Sequence, residues 1–262
     1  MQTEKIIDRI VTWLKDYAFN ARVNGFVVGV SGGVDSGVVS TLCAMTGLEV
    51  LAIQMPIRQK EDQISRASEH IDYLKAKFSN VKGLSVDLTT VFDEFTTTFD
   101  ANQEGILNRD LALANTRSRM RMLTLYYYGQ INSLLVCGTG NKVEDFGIGF
   151  YTKYGDGGVD LSPIADLYKT EVYALARALD LPESIKNAIP TDGLWDAERT
   201  DEQQIGATYP ELEKIQKEYG TKSPSDYTGR DLEVFKIFDR MHKAAQHKIQ
   251  PIPICTIPEE WR

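Results

Sequence analysis

The chain has 262 residues, of which 42% are hydrophobic and 25% charged, with a formal net charge of −8 and a pI near 5.0. This balance fits an ordinary globular chain, read as a single unit over 1–262. It argues against a nucleic-acid substrate, whose phosphate backbone asks for a basic face. No apolar run is long enough to cross a bilayer. The three cysteines, Cys43, Cys137 and Cys255, sit in apolar stretches and form no CxxC pair, so a reduced, cytoplasmic chain acting on a small molecule is expected.

Ile6, Ile7, Ile10, Val11, Leu14 and Tyr17 recur at helical spacing and open the chain with an amphipathic helix, not a signal peptide. An apolar β-run follows over 26–30, and Gly29-Val30-Ser31-Gly32-Gly33-Val34-Asp35-Ser36 leads from it into a helix expected over 35–46. The β-branched run suits a buried parallel strand. Gly32 and Gly33 let the backbone approach a ligand, and the amides opening the helix present partial positive charge to an anion. Ser31 and Ser36 add hydroxyls, and Asp35 can hold a cation. The turn lacks the lysine of a Walker loop and the third glycine of a dinucleotide fingerprint.

Further β-runs at 50–54, 83–86 and 133–137 alternate with helical patterns at about 61–78 and 108–129. The alternation implies a Rossmann-like α/β fold, a parallel sheet with helices on both faces. Ligands collect at the carboxyl ends of such strands, which is where 31–36 and 138–144 are delivered. The fourth run is followed by Gly138-Thr139-Gly140-Asn141-Lys142-Val143-Glu144-Asp145 and then by a stretch with four glycines in 149–158. Acids, hydroxyls and lysines among glycines cannot build a core, and an ordered loop of this length is usually functional. The polar, Gly- and Pro-broken stretches 192–203 and 210–231 read as lid or loop structure.

Ser31-Gly-Gly-Val-Asp-Ser36 resembles the pyrophosphate loop of the enzymes that cleave ATP to AMP and pyrophosphate while adenylating a substrate. Gly138-Thr-Gly-Asn-Lys-Val-Glu144 and Thr152-Lys-Tyr-Gly-Asp-Gly-Gly-Val-Asp160 resemble the second signature region of the NAD synthetases, and Asn115-Thr-Arg-Ser-Arg-Met-Arg-Met122 resembles their helix before the fourth strand. Lys169, the segment 190–194 and His247-Lys248 continue the likeness across nearly the whole chain. The resemblance implies an ammonia-dependent ligase that joins ATP to the carboxylate of deamido-NAD and lets ammonia displace AMP.

It further implies ATP contacts at Gly29 to Ser36, Thr139, Lys169 and Thr191, and Mg²⁺ ligands at Asp35 and Glu144. Deamido-NAD contacts are implied at Arg119, Lys153, Asp160, His247 and Lys248. A homodimer, with the helix over 108–129 as contact surface, is implied as well. The synthetase motifs occupy 26–248, so no glutaminase unit is expected and free ammonia is the donor.

Duller roles exist for several of these residues. Arg117, Arg119 and Arg121 could form a solvated face, with Leu111, Met122 and Leu125 marking the apolar side. His247 could be an exposed helix-end histidine, and the run 126–128 of tyrosines could be packing. His242 and His247 are five apart and do not form a one-face metal pair. The chain carries one residue more than the related pattern between Glu144 and Gly149, so either Glu144 or Asp145 could fill the metal position. The competing classes are a GMP synthetase-like core and a nucleotide sensor without turnover.

Overall fold

In the computed structural model, which describes residues 1–59, 61–99, 105–191 and 200–262, the sheet is built from β1 (Gly25–Gly29), β2 (Glu49–Gln54), β3 (Val81–Ser85) and β4 (Leu134–Cys137). All pairs are parallel and the order is β3-β2-β1-β4. Each strand is one of the expected runs with its ends moved by a residue or two. The third begins at 81 and not 83 because Val81 pairs with Val50 and is buried, while Lys82 beside it is exposed.

The helices around the sheet are α1 (Thr3–Ala21), α2 (Val34–Met45), α3 (Glu61–Lys77), α4 (Thr89–Phe99), α5 (Arg109–Asn132) and α6 (Lys169–Ala178). Successive strand residues point to opposite faces. Phe26, Val28 and Val30 join the core under α1, α2, α3 and α6, and Val27, Ile53 and Val136 join the core under α4 and α5. Both faces are therefore covered, as a parallel sheet requires. Full burial of each such side chain stabilises by about 1.5–3 kcal/mol.

A second apolar core stands beside the sheet. The helices α8 (Asp201–Ile205), α9 (Tyr209–Glu218) and α10 (Gly229–Ala244), which follow the short α7 (Glu183–Lys186), gather Ile205, Tyr209, Leu212, Ile215 and Phe238 around Val143 and Ile148. This corrects the expectation of a lid or loop over 210–231 for 210–218 and 229–231, which are helical, while 219–228 is loop with one 3-10 turn. Pro210 lies in the first turn of α9, where it is tolerated, and Thr208 caps that turn by accepting from the Glu211 amide. Of the other expected lid, 192–199 lie outside the described residues, and from 201 the chain is helical behind a Thr200 cap. Cys43 and Cys137 are buried, but Cys255 is exposed, against the apolar setting read from its neighbours. Among the described residues no helix is long and apolar enough to cross a membrane.

A buried polar pair fastens α3 to α2. His70 Nε2 lies 2.9 Å from Ser40 Oγ, whose hydroxyl donates to the Ser36 carbonyl at 2.7 Å. The facing ring nitrogen is therefore the donor, and Nδ1 is left as a buried acceptor with no hydrogen bond among the described residues. Burial pushes the imidazole down to about 4. Unfolded histidine titrates near 6.5, so the unfolded chain binds more protons between these limits. The stability present above pH 6.5 is lost as pH falls toward 4, by about 3 kcal/mol in all. Denaturant midpoints measured across this window fall accordingly, and His70→Gln removes most of the slope; a variant with an undiminished slope assigns it to other groups.

Candidate active site

From β1 the chain runs outward through β2 to β3, then returns to place β4 on the other side of β1. Such a reversal opens a crevice at the carboxyl ends of the two central strands. A cavity of about 300 Å³ lies there, lined by Gly29 to Ser36 without a gap and by Thr139, Glu144, Lys169 and Thr191. The structure thus gathers around one cavity all the residues expected near ATP.

The first wall is the turn between β1 and α2. Gly32 has φ +85°, and a Cβ there would lie 3.1 Å from the Ala67 amide and from Arg66 Cβ, so the turn needs glycine both for its conformation and for the close approach of α3. Ser31 Oγ accepts from the Gly33 amide at 3.2 Å, and Ser36 Oγ donates to the Gly33 carbonyl at 3.0 Å. No side chain caps α2, which leaves its opening amides at the cavity edge as donors for an anion.

Asp35, at the end of this turn, meets Glu144 and Lys169 at the cavity. Lys169 Nζ lies 2.5 Å from Asp35 Oδ2 and 3.1 Å from Glu144 Oε1. Burial favours the neutral amine, but the two carboxylates outweigh it and hold Lys169 above its ordinary value, a fixed cation. Burial raises Asp35 above the usual carboxylate range in spite of the lysine. Asn141, itself buried, donates to Asp35 Oδ1 at 3.3 Å and accepts from the amides of Val143 and Glu144 at 3.2 Å each. It fixes the segment carrying Glu144 relative to the turn carrying Asp35.

That segment, Val143–Ile148, is a π-helical turn, wound with about one residue more than an α-turn. Both acids consequently line the cavity. Glu144 bonds Lys169 and Tyr209. Asp145 lies against Gly140, where a Cβ would come within 2.2 Å of both carboxylate oxygens, and burial together with Glu144 holds it well above its ordinary value.

The donor set fits a divalent cation. Asp35 and Glu144 already share one cation, the Lys169 ammonium, and hard carboxylate oxygens suit Mg²⁺. Among the described residues no three acids, histidines or cysteines form a protein-only metal cage. Mg²⁺ typically takes one or two carboxylates and completes its shell with phosphate and water.

The residues expected around deamido-NAD gather apart from this cavity, and none lines it. Arg119 Nε donates to the Lys153 carbonyl at 3.3 Å, and Lys153 Nζ donates to the His247 carbonyl. Lys248 Nζ donates to the carbonyls of Gly149 and Tyr151 at 2.5 and 2.6 Å. These bonds tie the loop over 149–160 to α5 and to the short α11 (Gln246–Ile249). Asp160 has both oxygens engaged, accepting from the Val136 amide at 2.8 Å and from Tyr126 Oη at 3.0 Å, so Tyr126 does more than pack.

The loop itself is ordered against α5. Ser118 Oγ donates to Asp156 Oδ1 at 2.6 Å, and a Cβ on Gly155 would lie 2.3 Å from that hydroxyl. Of the arginine run on α5, Arg119 is exposed and its two neighbours are not. Arg117 is buried with its guanidinium 4.5 Å from the Phe92 ring centroid, while Arg121 lines the cavity and donates to the Met55 carbonyl at 3.0 Å. Nor is the apolar side uniform, since Leu111 is exposed while Met122 and Leu125 line the cavity.

Arg66, Arg121, Asp145 and Asp201 also line the cavity, and sequence reasoning gave none of them a role beyond the alternative for Asp145. Arg66 had a usable signal: it lies five residues into a helix expected to follow the second strand, on the side where ligands collect. Asp201 had none, because it reaches the cavity through the second core.

The chain matches the NAD synthase family over residues 6–252. The NH(3)-dependent NAD(+) synthetase of Finegoldia magna is 35% identical over 252 residues, which cover 95% of this chain and 94% of that one. Among solved structures, NMN synthetase from Francisella tularensis superposes with a TM-score of 0.84 at 28% identity, over 99% of both chains. The NH3-dependent NAD synthetase from Campylobacter jejuni in complex with the nitrate ion gives 0.77 at 25% identity, over 98% of this chain and 100% of that one. Sequence match and fold agree over almost the full length, and the chain belongs to the NAD synthase family.

Proposed function

We propose that the protein is an ammonia-dependent C–N ligase that converts deamido-NAD, ATP and ammonia to NAD, AMP and pyrophosphate. The observation that carries this reading is the convergence of Asp35 and Glu144 on one cation beside the amide-rich turn. A carboxylate oxygen of deamido-NAD attacks the α-phosphorus of ATP, and the bond to pyrophosphate breaks. The ammonia lone pair then attacks the acyl carbon, AMP leaves with the bridging oxygen, and one nitrogen proton passes to solvent.

Gly29 to Ser36, Thr139 and Thr191 hold ATP through the turn's amides and hydroxyls, and Lys169 clamps phosphate charge. Mg²⁺ held by Asp35 and Glu144 would offset charge on the departing pyrophosphate. Lys153 and Asp160 of the loop over 149–160, with Arg119 of α5 and His247 and Lys248 of α11, receive deamido-NAD. The acceptor region is then completed by a second copy of the chain: Leu123, Tyr127 and Ile131 are exposed at four-residue spacing on α5, an apolar stripe suited to a homodimer. Light scattering at twice 29.4 kDa supports the dimer, and the monomer mass overturns it. The cytoplasm is the proposed location.

A second reading of the acceptor is favoured by the extent of the likeness to the Francisella NMN synthetase. Amidation in that case takes the mononucleotide carrying the same nicotinate carboxylate. The chemistry at Asp35, Glu144 and Lys169 is unchanged, and only the distal nucleotide differs. Purified protein is incubated with ATP, Mg²⁺ and ammonium chloride, with deamido-NAD or nicotinate mononucleotide in parallel and glutamine replacing ammonium in a further arm. NAD and AMP formed one for one with ammonium support the first reading, and faster NMN formation supports the second. AMP formed with neither acceptor amidated overturns both.

A further inference from the structure

Tyr209 is the first residue of α9 and is 3% exposed. It belongs to the second core, not to the sheet, yet its hydroxyl oxygen lies 2.5 Å from Glu144 Oε1 and 3.2 Å from Asp201 Oδ2. A phenol has one proton to give, and the shorter contact identifies Glu144 as the recipient. The ring is held firmly. The Tyr209 amide donates to Glu202 Oε1 at 2.9 Å, and α9 is tied to the start of α6 by Glu213, which accepts from the Thr170 amide at 3.0 Å and its hydroxyl at 2.7 Å.

Glu144 Oε1 therefore has two donors, Tyr209 and Lys169. They differ in what a metal ion does to them. A cation held by Asp35 and Glu144 would compete with the Lys169 ammonium for these carboxylates, and Lys169 would then be free to meet phosphate. The neutral phenol has no such conflict. We propose that Tyr209 is a positioning residue that holds Oε1 of Glu144 and so presents Oε2 to the cation while Lys169 passes from carboxylate to phosphate. This rests on the reading of Asp35 and Glu144 as the cation ligands. Partners that orient a metal ligand in this way are worth about 10- to 100-fold in metal affinity.

The test is Mn²⁺ binding followed by electron paramagnetic resonance in the presence of a non-hydrolysable ATP analogue, with the Mg²⁺ dependence of turnover measured beside it. In Tyr209→Phe the Mn²⁺ dissociation constant and the half-saturating Mg²⁺ rise about 10-fold or more, and Mn²⁺ at high concentration restores turnover. In a Glu144→Gln background Tyr209→Phe adds no further loss, because the two residues act as one unit.

Unchanged Mn²⁺ affinity in a folded Tyr209→Phe overturns the role of Tyr209 and leaves the cation site standing. Failure of the wild-type protein to bind Mn²⁺ with the ATP analogue overturns the underlying reading instead. Should Tyr209→Phe not fold, 3-fluorotyrosine at 209 in the otherwise unaltered chain decides. Paramagnetic broadening of its fluorine signal by Mn²⁺ with the ATP analogue supports a cation on Glu144 beside Tyr209, and a sharp signal at saturating Mn²⁺ overturns it.

Discussion

Asp35→Asn lowers turnover by about 10³-fold or more, the loss expected when several kcal/mol of metal-derived charge stabilisation is removed, and leaves the chain folded. The structural half of this expectation follows from the environment of the carboxylate. Asp35 is already held above its usual range by burial, with Lys169 offsetting only part of it. Its replacement by a neutral group of the same shape therefore relieves an unfavourable burial while sacrificing a favourable pair. Glu144 stays 3.1 Å from Lys169 as the remaining counter-charge, so the buried cation is not orphaned. Steady-state AMP formation and a thermal melt on the same preparation check the two halves. A folded variant within tenfold of wild-type turnover removes Asp35 from the cation site.

Much of this site was legible in the sequence because its residues are local to strand ends. Ser31 to Ser36 follow directly from an apolar run, and 138–144 follow from another. Parallel topology alone brings such ends together. The parts that were not legible are those decided by tertiary packing. Pro210 and the polar residues after it read as loop, yet Leu212 and Ile215 find a core with Phe238 and Ile148 that no local pattern announces. α4 went unread although Phe92, Phe95 and Phe99 recur at helical spacing along it. The π-helical winding of 143–148 was not read from the sequence. Its consequence, two adjacent acids on one cavity, needed the backbone. Tyr209 was invisible for a related reason, since 65 residues separate it from Glu144.

Lys169→Met is expected to cost about 3–5 kcal/mol of stability, the range for removing one partner of a buried pair, and to abolish turnover. With the ammonium gone, Asp35 and Glu144, each 16% exposed at the side chain, are left facing one another without a cation. The deficit has two signatures that simple loss of packing would not show. It narrows as pH falls, because burial and the Glu144 charge already raise Asp35 and the variant lacks the ammonium that opposes them; the penalty is relieved once Asp35 takes a proton. It also narrows on addition of millimolar Mg²⁺, which binds the folded state at the position the ammonium held and stabilises it by mass action. The wild-type chain, whose carboxylates already hold a cation, gains less from the same addition. Melting curves of both proteins across pH and Mg²⁺ separate the cases. A variant whose deficit ignores both variables would mean that Lys169 serves the fold as a packed aliphatic stem. A deficit that closes with Mg²⁺ alone would mean that lysine and metal are alternative occupants of one site.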